Sequence, residues 1–421
     1  MPVQQYRNSR LYVEGVALAN IANEVGTPCY VYSRNAIESA YKAYRQALDD
    51  HAGAQSSRHK VCFAVKANSN IAVLNILARL GAGFDIVSGG ELERVLAAGG
   101  DPANVVFSGV AKSVAEIERG LEAGIHCFNV ESETELDRIA KIASANGVVA
   151  PISIRVNPDV DADTHPYIAT GLQENKFGIE IEKAQDIYLR AAGNRSLKIL
   201  GVDCHIGSQL TTLQPFEDAL QRVLMLVDTL ASENIVLEHL DIGGGLGVTY
   251  QSEKPPAIDE YVSHLTSILG GRNLGLYFEP GRSIVANAGY LLTRVDTIKS
   301  NPLKNFAIVD AAMNDMLRPA LYDAWMEILP LSTSSQSEVL EYDVVGPVCE
   351  TGDFLGKSRK LAIEEGDLLC LNSAGAYGFV MASNYNSRGR AAEVVVDEDK
   401  FHLVKERESF ADLIRGERLL P

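Results

Sequence analysis

Between about residue 36 and residue 280 the chain alternates eight short apolar runs with amphipathic stretches long enough for helices. The apolar runs lie near residues 60–66, 83–88, 104–108, 125–130, 150–156, 199–205, 236–242 and 275–279. Short apolar runs bounded by turn signals read as strands buried on both faces. The helix starts between them are legible. Ser88-Gly89-Gly90-Glu91, Ser113-Val114-Ala115-Glu116 and Ser132-Glu133-Thr134-Glu135 each have capping-box spacing. The helices they open stop at Gly99-Gly100, near Gly124 and near Gly147, as helix ends prefer. Residues 215–230 carry Phe216, Leu220, Val223, Leu224, Val227 and Leu230 on one stripe, with Pro215 suited to a first turn.

Eight β-then-α units suit a closed (β/α)8, TIM-like barrel, although an open doubly wound sheet uses the same local units. The placement of polar residues separates the two. Lys66, Asp85, Ser108, Asn129, Asn157, His205, Gly243 and Glu279 all fall at or just past the C-terminal end of a run. In a barrel those ends share one mouth, where active sites sit; in an open sheet they would spread along an edge. A barrel over residues 36–283 is therefore expected. After residue 284 the runs at 290–298, 306–309, 339–345, 360–363, 367–371 and 392–396 are short and β-rich, separated by Gly, Pro, Asp and Asn. They predict a second, all-β domain, sandwich-like or barrel-like. Residues 10–13 and 29–32 are also strand-like, so this domain is expected to span residues 1–35 plus 284–421.

The 421-residue length suits two domains. A formal charge of −17 argues against a nucleic-acid or anionic-membrane surface, while leaving room for a small basic pocket. The six cysteines contain no C-x-x-C pair and the histidines no zinc-ligand spacing, so neither a disulfide framework nor a metal site is expected. The N-terminus lacks a secretory pattern and no apolar run is long enough to span a bilayer. A reducing cytoplasm is the expected location.

Several residues carry possible chemistry. Lys66, in Phe63-Ala64-Val65-Lys66-Ala67-Asn68, ends an apolar strand. A lysine there either exits into water or commits its amine to a carbonyl as a Schiff base. Gly243-Gly244-Gly245-Leu246-Gly247 follows the seventh strand. It is either a plain turn or a backbone cradle for phosphate, to which Ser208 would add a hydroxyl. His205, in His205-Ile206-Gly207-Ser208-Gln209, is a satisfied strand-end histidine or a ring that stacks on a flat cofactor. Glu279, in Phe278-Glu279-Pro280-Gly281-Arg282, is paired by Arg282 or faces a cofactor nitrogen. Cys349-Glu350 and Tyr377 lie in glycine-rich segments of the second domain.

In this order and spacing, those segments together with Gly346-Pro347-Val348-Cys349-Glu350-Thr351-Gly352-Asp353 resemble, over essentially the full chain, the diaminopimelate decarboxylases. These are pyridoxal-phosphate (PLP) enzymes of the alanine-racemase-like, fold-type III class. The resemblance implies a PLP-binding barrel with a C-terminal β domain, working as a homodimer with shared active sites. The implied reaction converts meso-2,6-diaminopimelate to L-lysine and carbon dioxide, the last step of lysine biosynthesis. It further implies that Lys66 anchors PLP and His205 stacks on its ring. The phosphate would be held by Ser208, the glycines Gly244 and Gly245, the backbone near Gly281 and Arg282 and the Tyr377 hydroxyl, with Pro280 also at the cofactor and Glu279 at the pyridine nitrogen. Arg282, Arg318, Tyr322, Glu350 and Tyr377 are the implied substrate-binding residues. Cys349 is the implied proton donor, supplied with Glu350 by the second subunit. Residues 157–178 also resemble the family, without a role for each.

Ornithine, lysine, arginine and carboxynorspermidine decarboxylases share the fold. The diamine-forming enzymes typically carry Cys-Asp where this chain has Cys349-Glu350, and Arg318 offers a site for a second carboxylate. A racemase would use a lysine–tyrosine pair. A non-catalytic relative is disfavoured because Lys66, Cys349 and the glycine loop are all present.

Overall fold

The computed structural model describes residues 3–160 and 176–421, so most of the 157–178 segment lies outside the described residues. The chain forms two compact units. One holds residues 39–248 and 254–283; the other holds residues 1–38, 249–253 and 284–421.

The first unit is built on eight strands: β1 (Lys60–Ala64), β2 (Gly83–Ile86), β3 (Val105–Phe107), β4 (Cys127–Val130), β5 (Ala150–Asn157), β6 (Leu197–Asp203), β7 (His239–Asp241) and β8 (Gly275–Phe278). Each pairs in parallel with its neighbours. The ring closes where β8 meets β1, with Tyr277 opposite Lys60. The β4–β5 seam pairs Phe128 with Ile152. This is the closed eight-stranded barrel, and the open-sheet alternative falls. The runs were apolar throughout because both strand faces are covered: Val61, Cys62, Phe63 and Ala64 are all buried.

The serines cap as expected. Ser88, Ser113 and Ser132 accept hydrogen bonds from the backbone N–H of Glu91, Glu116 and Glu135, opening helices Gly89–Ala97, Val114–Ala123 and Glu133–Ala145. Only the Ser113 box is reciprocal, Glu116 accepting the Ser113 N–H at 2.9 Å. Glu91 turns instead to the Val87 N–H (2.7 Å) and Glu135 to the Glu131 N–H (2.8 Å). Both carboxylates thus brace the loops that follow strands. Helix Gln214–Ser232 carries Pro215 in its first turn and buries Phe216, Leu220, Val223, Leu224 and Leu230, with Leu226 rather than Val227 completing the stripe.

The second unit is mostly sheet. The long strand Gly289–Ser300 pairs antiparallel with Asn305–Val309, Leu368–Leu371 and Cys29–Ser33. Cys29–Ser33 in turn pairs in parallel with Ala392–Asp397, so an N-terminal strand sits inside a sheet made otherwise of C-terminal chain. Short helices appear that the strand pattern did not signal, among them the following two. Leu18–Val25 buries Leu18, Ile21 and Ala22 at helical spacing, and Arg318–Tyr322 starts with Pro319 in its first turn. Among the described residues, no helix is long and apolar enough to cross a membrane.

Candidate active site

At the C-terminal ends of the barrel strands, Lys66, Val87, Ser108, Arg155, His205 and Glu279 line a cavity of about 160 Å³. Lys66 sits two residues past β1, on the turn Val65–Ala67, and its ammonium ion-pairs with the buried Asp85 carboxylate at the end of β2. The turn is held from the other side of the barrel seam. The Ala64 N–H donates to the Pro280 carbonyl (3.2 Å), and a Cβ at Gly281 would lie 2.8 Å from that of Ala67. Pro280 and Gly281 therefore bring the end of β8 against the lysine.

His205 follows β6. Its Nδ1 accepts the Gly244 N–H at 3.2 Å, which fixes the ring against the glycine loop. Loss of solvent, with Arg155 and Lys66 nearby, pushes the imidazole well below its ordinary pKa. The ring is therefore neutral, a flat face without charge. Gly243 and Gly245 both take left-handed backbone (φ 71° and 114°), and a Cβ at Gly245 would press within 2.8 Å of the Gly207 carbonyl. Only glycine lets the chain pass there. Ser208, three residues past His205 on the loop after β6, accepts from the Arg282 guanidinium at 2.9 and 3.3 Å. A hydroxyl, a guanidinium and a glycine backbone thus converge, the donor set an anion needs.

The cavity floor is acidic. Carboxylate oxygens of Glu279, Asp241 and Asp203 lie within 4.8 Å of one another. Burial first, then the negative charge of Asp241, Asp85 and Asp203, pushes Glu279 well above the usual carboxylate range. Burial likewise pushes Asp241 up to about 7. Oε1 of Glu279 is buried with no hydrogen-bond partner among the described residues, a costly state unless a donor meets it. A protonated ring nitrogen is such a donor and carries the charge this floor lacks. The site therefore fits pyridoxal phosphate by its own chemistry: an amine for the carbonyl, a neutral ring for the face, a carboxylate for the nitrogen and an anion cradle for the phosphate.

Sequence reasoning missed one buried cation here. Arg155, on β5, ion-pairs with Glu131 at 2.9 Å, lies 3.7 Å from Asp203, and sits 4.9 Å over the Phe177 ring. It offsets part of the acidic floor. The signal existed, since a charge interrupts the apolar Ile152-Ser153-Ile154-Arg155-Val156 just as Lys66 and Glu279 interrupt theirs.

The other expected site residues lie on three segments of the second unit. Arg318 is buried in its short helix, with its guanidinium 4.5 Å over the Tyr250 ring; Tyr322 ends that helix, half-buried. Cys349 and Glu350 are exposed on a loop organised by Asp353. The Asp353 carboxylate accepts from Val348 (2.7 Å) and Met313 (2.6 Å), and the Cys349 N–H donates to Asn386 at 2.8 Å. Tyr377 is half-buried in a turn with φ 54°, a strained setting for a tyrosine. A larger cavity of about 370 Å³ lies wholly within this unit, among Gln4, Tyr250, Trp325 and Glu327. It has no lysine to bond a carbonyl, so chemistry rather than size selects the barrel mouth.

A lysine-bearing (β/α)8 mouth built this way defines the barrel class of pyridoxal-phosphate enzymes. The family model for the pyridoxal-binding domain of pyridoxal-dependent decarboxylases matches residues 34–286. The diaminopimelate decarboxylase of Pseudomonas aeruginosa is 61% identical over 421 residues, covering all of both chains. Among solved structures, the M. jannaschii diaminopimelate decarboxylase in complex with L-lysine superposes with a TM-score of 0.94 at 37% identity, covering 100% of this chain and 98% of that one. The Helicobacter pylori enzyme complexed with L-lysine gives 0.90 at 43% identity, covering 94% and 98%. The chain belongs to the pyridoxal-dependent decarboxylases, within their diaminopimelate decarboxylase family. Pyridoxal phosphate is its cofactor.

Proposed function

We propose that the chain removes one carboxyl group from meso-2,6-diaminopimelate, giving L-lysine and carbon dioxide in the last step of lysine biosynthesis. The observation that carries this is the full-length 61% identity to a diaminopimelate decarboxylase, on a barrel whose mouth already fits the cofactor.

Bound pyridoxal phosphate supplies an electron sink for the pair left when carbon dioxide departs. The rest falls to the chain. Lys66 would hold the cofactor through Nζ, and the Asp85 carboxylate that pairs with it is placed to take the proton the amine must first lose. Glu279 would face the ring nitrogen with Oε1 and favour its protonated form. Ser208, Arg282, Gly244, Gly245, Gly281 and the Tyr377 hydroxyl would hold the phosphate, and His205 would cover the ring face. Arg282, Arg318, Tyr322, Glu350 and Tyr377 bind the substrate. The Cys349 thiol then delivers a proton to the substrate carbon that lost its carboxylate. Cys349 and Glu350 come from the second copy of a homodimer, which works in the cytoplasm without nucleic-acid or membrane partners.

The test is product analysis. Purified protein with pyridoxal phosphate is offered diaminopimelate, lysine, ornithine and arginine separately. The expected result is L-lysine and carbon dioxide from diaminopimelate, with little reaction of the others. Comparable release from lysine or ornithine would instead place the chain with the diamine-forming decarboxylases.

A further inference from the structure

We propose that His126, Cys127 and His239 form a binding site for one thiophilic divalent cation of the zinc class, at the end of the barrel opposite the cofactor mouth. His126 immediately precedes β4, Cys127 opens that strand and His239 opens β7. All three therefore lie at N-terminal strand ends, away from Lys66 and Glu279. One ligand atom from each lies within 4.8 Å of the other two, within reach of a common ion after modest side-chain adjustment.

The second observation is His239 itself. It is 1% exposed, and neither ring nitrogen has a hydrogen-bond partner among the described residues. Two orphaned nitrogens inside a core are costly unless something meets them. The ring is rigidly placed. It stacks on Tyr277 at 4.2 Å with the planes 3° apart, and it lies against Gly201, where a Cβ would overlap it. Tyr277 also orients the second imidazole, its hydroxyl 3.1 Å from Nε2 of His126, the kind of support a metal ligand needs.

The ligand types suit such an ion, two imidazoles and one thiol. Cys127 is fully buried, and its Sγ lies 3.7 Å from Oδ1 of Asn129, a weak contact that a metal bond would replace. On binding, the thiol proton leaves to solvent and a metal–thiolate bond forms. With two imidazoles and a thiolate, the fourth position of a tetrahedral ion is left to water. His126 is only half-buried and opens the path from outside. The spacing hid this set from the sequence, because His239 follows Cys127 by 112 positions, three barrel strands later.

The test uses holoenzyme carrying Cys349→Ser, which removes the exposed thiol. Titration with Co²⁺ should show one ion per chain, with thiolate-to-cobalt charge transfer and tetrahedral visible bands that Zn²⁺ displaces. Cys127→Ser in that background should abolish the charge-transfer band. Tyr277→Phe should weaken binding by about 10–100-fold. Zn²⁺ should raise Tm in the Cys349→Ser protein and leave it unchanged once Cys127 is also replaced. If Cys127→Ser does not fold, His126→Gln at the outer edge of the cluster decides, with weaker Co²⁺ binding expected. Substoichiometric binding, no charge-transfer band, or a band that survives loss of Cys127 or is indifferent to His126→Gln would overturn the proposal.

Discussion

Arg318→Met is expected to cut kcat/KM for diaminopimelate by roughly 30- to 5,000-fold, the consequence of leaving about 2–5 kcal/mol of buried charge pairing unmade. Cofactor absorbance should barely change, because Arg318 is assigned to the substrate and not to the cofactor. Arg318 is 6% exposed and its guanidinium rests on the Tyr250 ring, an arrangement that holds a fork-shaped donor rigid for a carboxylate. Diaminopimelate has a distal carboxylate and lysine does not. Sites built for a polar group reject analogues lacking it by about 10⁴–10⁵ in kcat/KM, so the wild type should discriminate strongly against lysine. Full activity in the Arg318→Met protein would mean that another group reads the distal carboxylate.

Cys349→Ala should lower kcat by about 10²–10⁴-fold, the usual contribution of a positioned proton donor, with little change in KM. The thiol is exposed on its own loop, and Asp353 and Asn386 hold that loop in shape. An exposed, well-ordered cysteine suits a group that works on another subunit's substrate. Mixing Lys66→Ala protein with Cys349→Ala protein should therefore restore activity, since each heterodimer regains one intact site of two. No recovery after verified subunit exchange would place Cys349 at its own chain's cofactor.

Much of this architecture was legible in the sequence because barrel strands leave a local signature. A strand buried on both faces must be apolar along its length, and a polar residue at its end marks the mouth. That rule found Lys66, His205 and Glu279. Partnership across the barrel was not legible. Arg155 meets Glu131 and Asp203 only after β5 is closed against its neighbours, and nothing near any of the three names the others. Asp241 was passed over for the same reason, although its carboxylate accepts the Gly243 N–H at 2.8 Å and shapes the glycine loop. In the second unit, the glycine-rich segment around Cys349 was visible, whereas the role of Asp353 as its organiser depends on Met313, 40 positions away in sequence.

The central claim is that Lys66, on its turn beside Asp85, is the covalent anchor of the cofactor. Borohydride reduction of the holoenzyme followed by peptide mapping tests it most directly. A single reduced pyridoxyl adduct on the peptide containing Lys66, absent from Lys66→Ala protein, is the predicted result. An adduct on any other lysine of the wild-type chain would contradict it.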